Sequence, residues 1–401
     1  MNSADRRAGG RSRPIVTAGL AALVLALAVG PGGAQDGFGE GAGRPADLAT
    51  GPEVDALRPV VERLAGAWVA RGAIPGLIVG VSHRGRRSYF GFNGAGGAPY
   101  QSDTIVEIGS ITKVFTTALL AEAVDAGRLR PDTPLQELLP NLRLRPCTAQ
   151  ITPLQLADFT SGMPTLPGDL PRALAERSVR TYPPEAFLAW VSRWSPEGSE
   201  AGGCPLPAPY RYSNAGIGLL GYVLSERLGT PWESLVHERI TGPLGMTSTA
   251  VTVKPADRAR LAQGYGMEGR PVMPWPVFAW YAAGALRSTA ADMLAFGEAA
   301  LGHEAVNGAP VPPALTRALR EAMAPIYQPE GQTFRQGMAW IEEIGDPDAG
   351  QRPVFLKVGG TDGFNSVVVV NPGKDLVVFV AGGQPKIGAE RLGVALSRHI
   401  R

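Results

Sequence analysis

The chain has 401 residues, 44% of them hydrophobic, and a formal net charge of +2. That is enough apolar material for a substantial core in two subdomains. A nearly balanced charge with no basic stripe argues against a nucleic-acid partner, and four scattered histidines without paired-cysteine spacing argue against a metal or other cofactor.

Arg6, Arg7, Arg11 and Arg13 precede an apolar run from Ile15 to Val29, which ends in Gly30-Pro31-Gly32-Gly33-Ala34. A basic start, a short apolar middle and a small-residue exit describe an export signal over residues 1–34, cut after Ala34. The run is short for a membrane span, so no stable span is expected after cleavage; an uncleaved anchor is the alternative. Arg6-Arg7 also leaves a twin-arginine signal open. Export means the periplasm or the medium, where Cys147 and Cys204 could form one disulfide. Residues 35–50, rich in Gly and Ala, read as a flexible leader.

Val54, Leu57, Val61, Leu64 and Trp68 fall at helical spacing, predicting a helix to about Arg71. Gly76 to Val81 reads as a strand, and Arg84-Gly85 as the turn of a hairpin into Arg87 to Phe92. A helix from Ser110 to about Gly127 follows. The middle of the chain reads as helices at Thr152–Phe159, Pro184–Trp194, Ala215–Leu228 and Trp232–Ile240. Another begins near Ser288, whose side chain could cap it, with Asp292 in the first turn. Strands are expected at Gly337–Ile341, Val354–Lys357, Ser366–Val370 and Leu376–Val380, and a closing helix at Ala389–His399. This order predicts an α/β architecture, an α+β sandwich: an antiparallel sheet built from both chain ends (about 51–109 and 330–401), flanked by helices, with a mainly helical subdomain inserted (about 110–329).

Gly109-Ser110-Ile111-Thr112-Lys113 runs directly into the apolar stretch Val114 to Leu120. Residues three apart share a helix face, so a serine hydroxyl and a lysine amine can meet at the helix start. There the positive pole also favours a developing anion. Of 38 basic residues only Lys113, Lys254, Lys357, Lys374 and Lys386 are lysines. A chain that prefers guanidinium needs an amine where a proton must be released, because arginine does not deprotonate. Tyr212-Ser213-Asn214 precedes an apolar helix. A phenol near pKa ~10 would be lowered by two ammonium neighbours, Lys113 and a lysine from the sheet, while Asn214 could orient Lys113 and hold an amide. Lys357-Val358-Gly359-Gly360-Thr361 ends a strand, and its glycines let a substrate backbone approach.

Ser-x-x-Lys at Ser110, Tyr-x-Asn at Tyr212 and Lys-x-Gly at Lys357, in that order, resemble the class C β-lactamases and the related low-molecular-weight penicillin-binding DD-peptidases. Glu107-Ile108-Gly109-Ser110, Thr160-Ser161-Gly162 and Pro243-Leu244-Gly245-Met246 agree with that family. The resemblance implies the β-lactamase/transpeptidase-like fold and an acyl-enzyme on Ser110, with Lys113 tuning its proton, Tyr212 as general base and Lys357 as electrostatic support. It further implies Asn214, Gly359, Gly360, Thr361 and Arg391 as substrate-binding residues, and an oxyanion hole from the N–H groups of Ser110 and Gly360. The expected partner is a β-lactam or a peptidoglycan stem peptide, and the expected state a monomer. The same site also suits a DD-carboxypeptidase or endopeptidase, a carboxylesterase, or a penicillin-binding sensor without turnover. One departure stands out: Val358 occupies the place of the family's Thr, whose hydroxyl helps bind the substrate carboxylate.

Overall fold

The apolar runs at 77–83, 365–371 and 376–382 form the centre of one antiparallel sheet. A computed structural model describes residues 46–47, 52–69, 75–93, 99–170, 182–199 and 203–401. The expected export signal lies outside these residues, as does the leader except for Ala46–Asp47. Those two residues form β1, paired with Phe90 and Gly91 at the sheet edge. The remaining strands are β2 (Leu77–His83), β3 (Arg86–Phe92), β4 (Val106–Glu107), β5 (Arg287–Ser288), β6 (Ala305–Val306), β7 (Ala309–Pro310), β8 (Phe334–Gln336), β9 (Ile341–Glu343), β10 (Val354–Gly360), β11 (Asn365–Asn371) and β12 (Leu376–Gly382). The main sheet runs β1-β3-β2-β12-β11-β10-β9-β8, so both chain ends contribute and meet where β2 pairs with β12 (Val79 opposite Val380).

Alternation along each strand serves two cores. Val367, Val369, Val378 and Val380 face one layer, with Leu57, Val61, Leu392 and Leu396. These last four belong to α1 (Pro52–Val69) and the closing helix Ala389–His399. Val368, Val370, Val377 and Phe379 face the other layer, with Phe115, Leu294 and Phe296. Strands buried on both faces explain the nearly unbroken valine runs. The hairpin turn falls at Arg84-Gly85, both at positive φ.

The site-bearing helices lie on the second side of the sheet. They are α2 (Thr112–Asp125), the short α3 (Leu135–Leu138), α4 (Pro146–Gln150) and α5 (Pro153–Ala157), then α6 (Pro184–Arg193), α7 (Asn214–Leu228) and α8 (Trp232–Val236). After them come α9 (Ala290–Leu301), α10 (Pro313–Met323) and the closing α11 (Ala389–His399). Cys147, in α4, is bridged to Cys204.

Three local expectations change. Residues 337–340 form the turn between β8 and β9 rather than a strand, with Ala339 at positive φ. Thr289, not Ser288, caps α9 by accepting the Asp292 N–H, because Ser288 is already in β5. The helix expected at Trp232–Ile240 is α-helical only to Val236, and the chain continues as a π-turn over His237–Thr241.

Candidate active site

Ser110 lies in a tight 3-10 turn, Gly109–Ile111, that feeds directly into α2. α2 is buried on nearly every side, so its first turn is held without exposed slack. Gly109 has φ +49°, and a Cβ there would lie 2.6 Å from the Gly360 nitrogen and oxygen. The Ser110 turn and the end of β10 therefore meet backbone to backbone, a contact that only glycine permits. Gly359 is pressed in the same way against the Ile108 carbonyl, whereas a Cβ on Gly360 would face open space.

Lys113, fully buried, reaches back along the helix. Its Nζ donates to Ser110 Oγ at 2.9 Å, Asn214 Oδ1 at 2.7 Å and the Ala283 carbonyl at 2.6 Å. Burial, with Lys357 nearby, holds its pKa well below the ordinary lysine value. Asn214 Oδ1 and the Ala283 oxygen can only accept. When Lys113 gives up a proton, its two remaining N–H groups stay on those oxygens and its lone pair points at Ser110, the one partner with a proton to give.

Tyr212 Oη donates to Ser110 Oγ at 2.8 Å. The Nζ atoms of Lys113 and Lys357 lie 4.9 and 4.8 Å from the centre of its ring. They sit against the π face, where a cation is attracted without any phenolate. Burial pushes the Tyr212 phenol above its ordinary value, and the Ser110 hydrogen bond opposes this only in part. This reverses the lowered value expected from two cationic neighbours, because desolvation of the phenolate outweighs their field. Lys357, on β10, is lowered to about 8, mainly by burial, with the Glu390 carboxylate pulling the other way.

Ser213 rather than Asn214 caps α7, accepting the Gly216 N–H, which leaves the Asn214 amide for Lys113. Beside Ser110 opens a cavity of about 310 Å³, walled by Leu166, Trp275, Phe278 and Trp280 and floored by Asn214, Gly360 and Thr361. Thus Ser110, Lys113, Tyr212, Asn214 and Lys357, spread over nearly 250 positions of sequence, converge on one cleft. Thr361 lines it, but its hydroxyl donates to buried Glu107 at 2.8 Å. Arg391 is exposed on α11 and is not among the residues lining this cavity. Among the described residues there is no cluster of His, Cys, Asp or Glu suited to a metal, and no helix is long and apolar enough to cross a membrane.

The β-lactamase family model matches residues 61–390, most of the chain and all of this cleft. The chain belongs to the β-lactamase family. A β-lactamase of Pseudomonas fluorescens is 26% identical over 370 residues, covering 84% of this chain and 97% of that protein. The D-alanyl-D-alanine-carboxypeptidase/endopeptidase AmpH of Escherichia coli (strain K12) is 28% identical over 290 residues, 70% of this chain and 71% of that one. Among solved structures, the class C β-lactamase of Rhodobacter sphaeroides superposes with a TM-score of 0.70 at 25% identity, over 84% of this chain and 98% of that one. As a member of the β-lactamase family this protein is a serine hydrolase.

Val358 alternates away from the Ser110 cleft and packs with the core between the sheet and α11. The sequence reading missed the Ala283 carbonyl, the aromatic wall and the role of Glu107. A backbone carbonyl and a wall assembled from a loop have no sequence signature. Glu107 did leave one, a carboxylate inside an otherwise apolar approach to Ser110.

Proposed function

We propose that this β-lactamase family member is an exported hydrolase working through an acyl-enzyme on Ser110, most simply by opening a β-lactam amide. The observation that carries the reading is the three-way coordination of Lys113 Nζ, which aims its lone pair at Ser110. Lys113 takes the Ser110 proton as Oγ attacks the carbonyl carbon. The oxyanion that forms is met by the N–H groups of Ser110 and Gly360, donors of a kind whose removal costs on the order of 100-fold or more in rate. The neutral Tyr212 phenol supplies a proton to the departing nitrogen and is replenished from Lys113. Water then attacks the ester, with the same pair working in reverse. Asn214 holds Lys113 and offers its N–H₂ to the substrate amide. Export is supported by the basic-apolar-small pattern of residues 1–34 and by the disulfide, which fits an oxidising compartment.

A carboxypeptidase reading has its own support in the likeness to AmpH, and the same nucleophile would also open an ester. Intact-mass spectrometry after mixing with a penicillin tests the proposal. An adduct on Ser110 should appear and vanish as the hydrolysed penicillin accumulates. A persistent adduct would instead mean a peptidase or sensor, and no adduct would direct the work to simple esters.

Lys357 also gives the site a pH signature. Below about 8 it is charged and attracts an anionic substrate; above, it is neutral. KM for a carboxylate-bearing substrate should therefore rise as pH climbs through that value, while KM for a neutral ester stays flat. Equal behaviour of the two in initial-rate assays would remove Lys357 from substrate recognition.

A further inference from the structure

We propose that Glu107 and Thr361 are positioning residues that hold the two walls of the Ser110 cleft in one geometry; this rests on Ser110 being the nucleophile. Glu107 ends β4, three residues before Ser110, and is 4% exposed. Its Oε2 accepts the Thr361 hydroxyl at 2.8 Å. That hydroxyl oxygen in turn accepts the N–H groups of Phe364 at 3.1 Å and Gly363 at 3.3 Å, closing the turn that follows Gly360. Oε1 accepts the Trp275 N–H at 2.5 Å and faces the Arg287 guanidinium at 3.4 Å. Arg287, itself buried, donates to the Trp275 carbonyl at 2.5 Å and the Val251 carbonyl at 2.6 Å.

One buried carboxylate thus ties together the approach to the nucleophile, the turn beyond the second oxyanion donor and the aromatic wall over the cavity. A carboxylate suits the place because every group facing it donates. An amide would turn its own N–H₂ toward one of these donors. The Thr361 hydroxyl is taken up by Glu107, so the effect of the pair passes through where the Ser110 and Gly360 N–H groups point. Loosening it should lower the rate of reaching the transition state while leaving ground-state binding largely intact, because misplacement by about 1 Å costs on the order of 100-fold in rate.

The test uses an alkyl fluorophosphonate on the full mature protein, so that it does not depend on the natural substrate. Ser110 Oγ bonds phosphorus, the P–F bond breaks, fluoride leaves and the serine proton passes to Lys113. The wild type is read first, with the adduct mapped by digestion; an unlabelled Ser110 overturns the nucleophile assignment and this proposal with it. Given labelling, Thr361→Val should lower the maximal rate about 10- to 100-fold, with the half-saturating concentration shifted less than about twofold. Thr361→Ser, which keeps the hydroxyl, should return the rate to within about threefold of wild type. Should the valine variant fail to fold, Glu107→Gln is read by the same two quantities. A rate within about twofold of wild type, equal loss in the serine variant, or a change in half-saturation alone overturns the positioning role.

Discussion

Lys113→Arg should slow covalent modification of Ser110 by about a thousandfold, the middle of the range for losing a positioned acid-base group. The charge is kept, so a site that needed only a cation there would tolerate the change. The contacts show more. Three oxygens at 2.6–2.9 Å surround Nζ, and the side chain has no exposed surface. That cage fits a compact amine, whereas a guanidinium is planar, larger and cannot release a proton. Overpacking adds a separate cost of about 1–3 kcal/mol in stability. Lys113→Met separates the two effects, since it fills similar volume without strain or charge. Both variants should fold by thermal melting and both should be slow towards a fluorophosphonate. An arginine variant within about tenfold of wild type would show that Lys113 works as a fixed charge and not as a proton carrier.

The positions legible in sequence were those where chemistry and periodicity agreed. Lys113 stood out because the chain uses so few lysines, and its three-residue spacing from Ser110 translated directly into a 2.9 Å contact. The valine runs of β11 and β12 and the Arg84-Gly85 turn were equally plain, because strands buried on both faces have little choice of residue. A sheet lysine beside Tyr212 and Asn214 orienting Lys113 were expected from the order of the motifs, and the fold supplies the geometry: Lys357 against the face of the Tyr212 ring and Asn214 Oδ1 on Lys113 Nζ. Tyr212 failed in sign. Its charged neighbours were visible in sequence and its desolvation was not. Ser288 failed as a cap because two residues of pairing with Val106 and Glu107 took it into β5. Thr361 was expected to bind substrate and Glu107 entered only as family wording, so their contact with each other and with Arg287 was missed for a related reason: a buried carboxylate shows its partners only in the fold.

Gly109→Ala should be the most damaging change that alters no reactive group. Two penalties combine at this residue. Its φ of +49° places an alanine in the left-handed region, at a cost of about 1–2 kcal/mol. The added methyl carbon would also lie 2.6 Å from both the nitrogen and the oxygen of Gly360, and 2.9 Å from its carbonyl carbon. Backbone cannot swing aside as a side chain can, so the Ser110 turn and β10 must separate. Gly127 isolates the first penalty: its φ is +66°, and a methyl carbon added there would have nothing within 4 Å. Gly127→Ala should lower the melting temperature modestly and leave the rate of Ser110 labelling unchanged. Gly109→Ala should lower the melting temperature further and cut the labelling rate on the order of 100-fold, because the Ser110 and Gly360 N–H groups, proposed above to meet the oxyanion, move apart. Equal labelling rates in the two variants would mean that the close approach of Gly109 to Gly360 serves only the packing of the sheet against α2, and that the cleft takes its geometry from elsewhere.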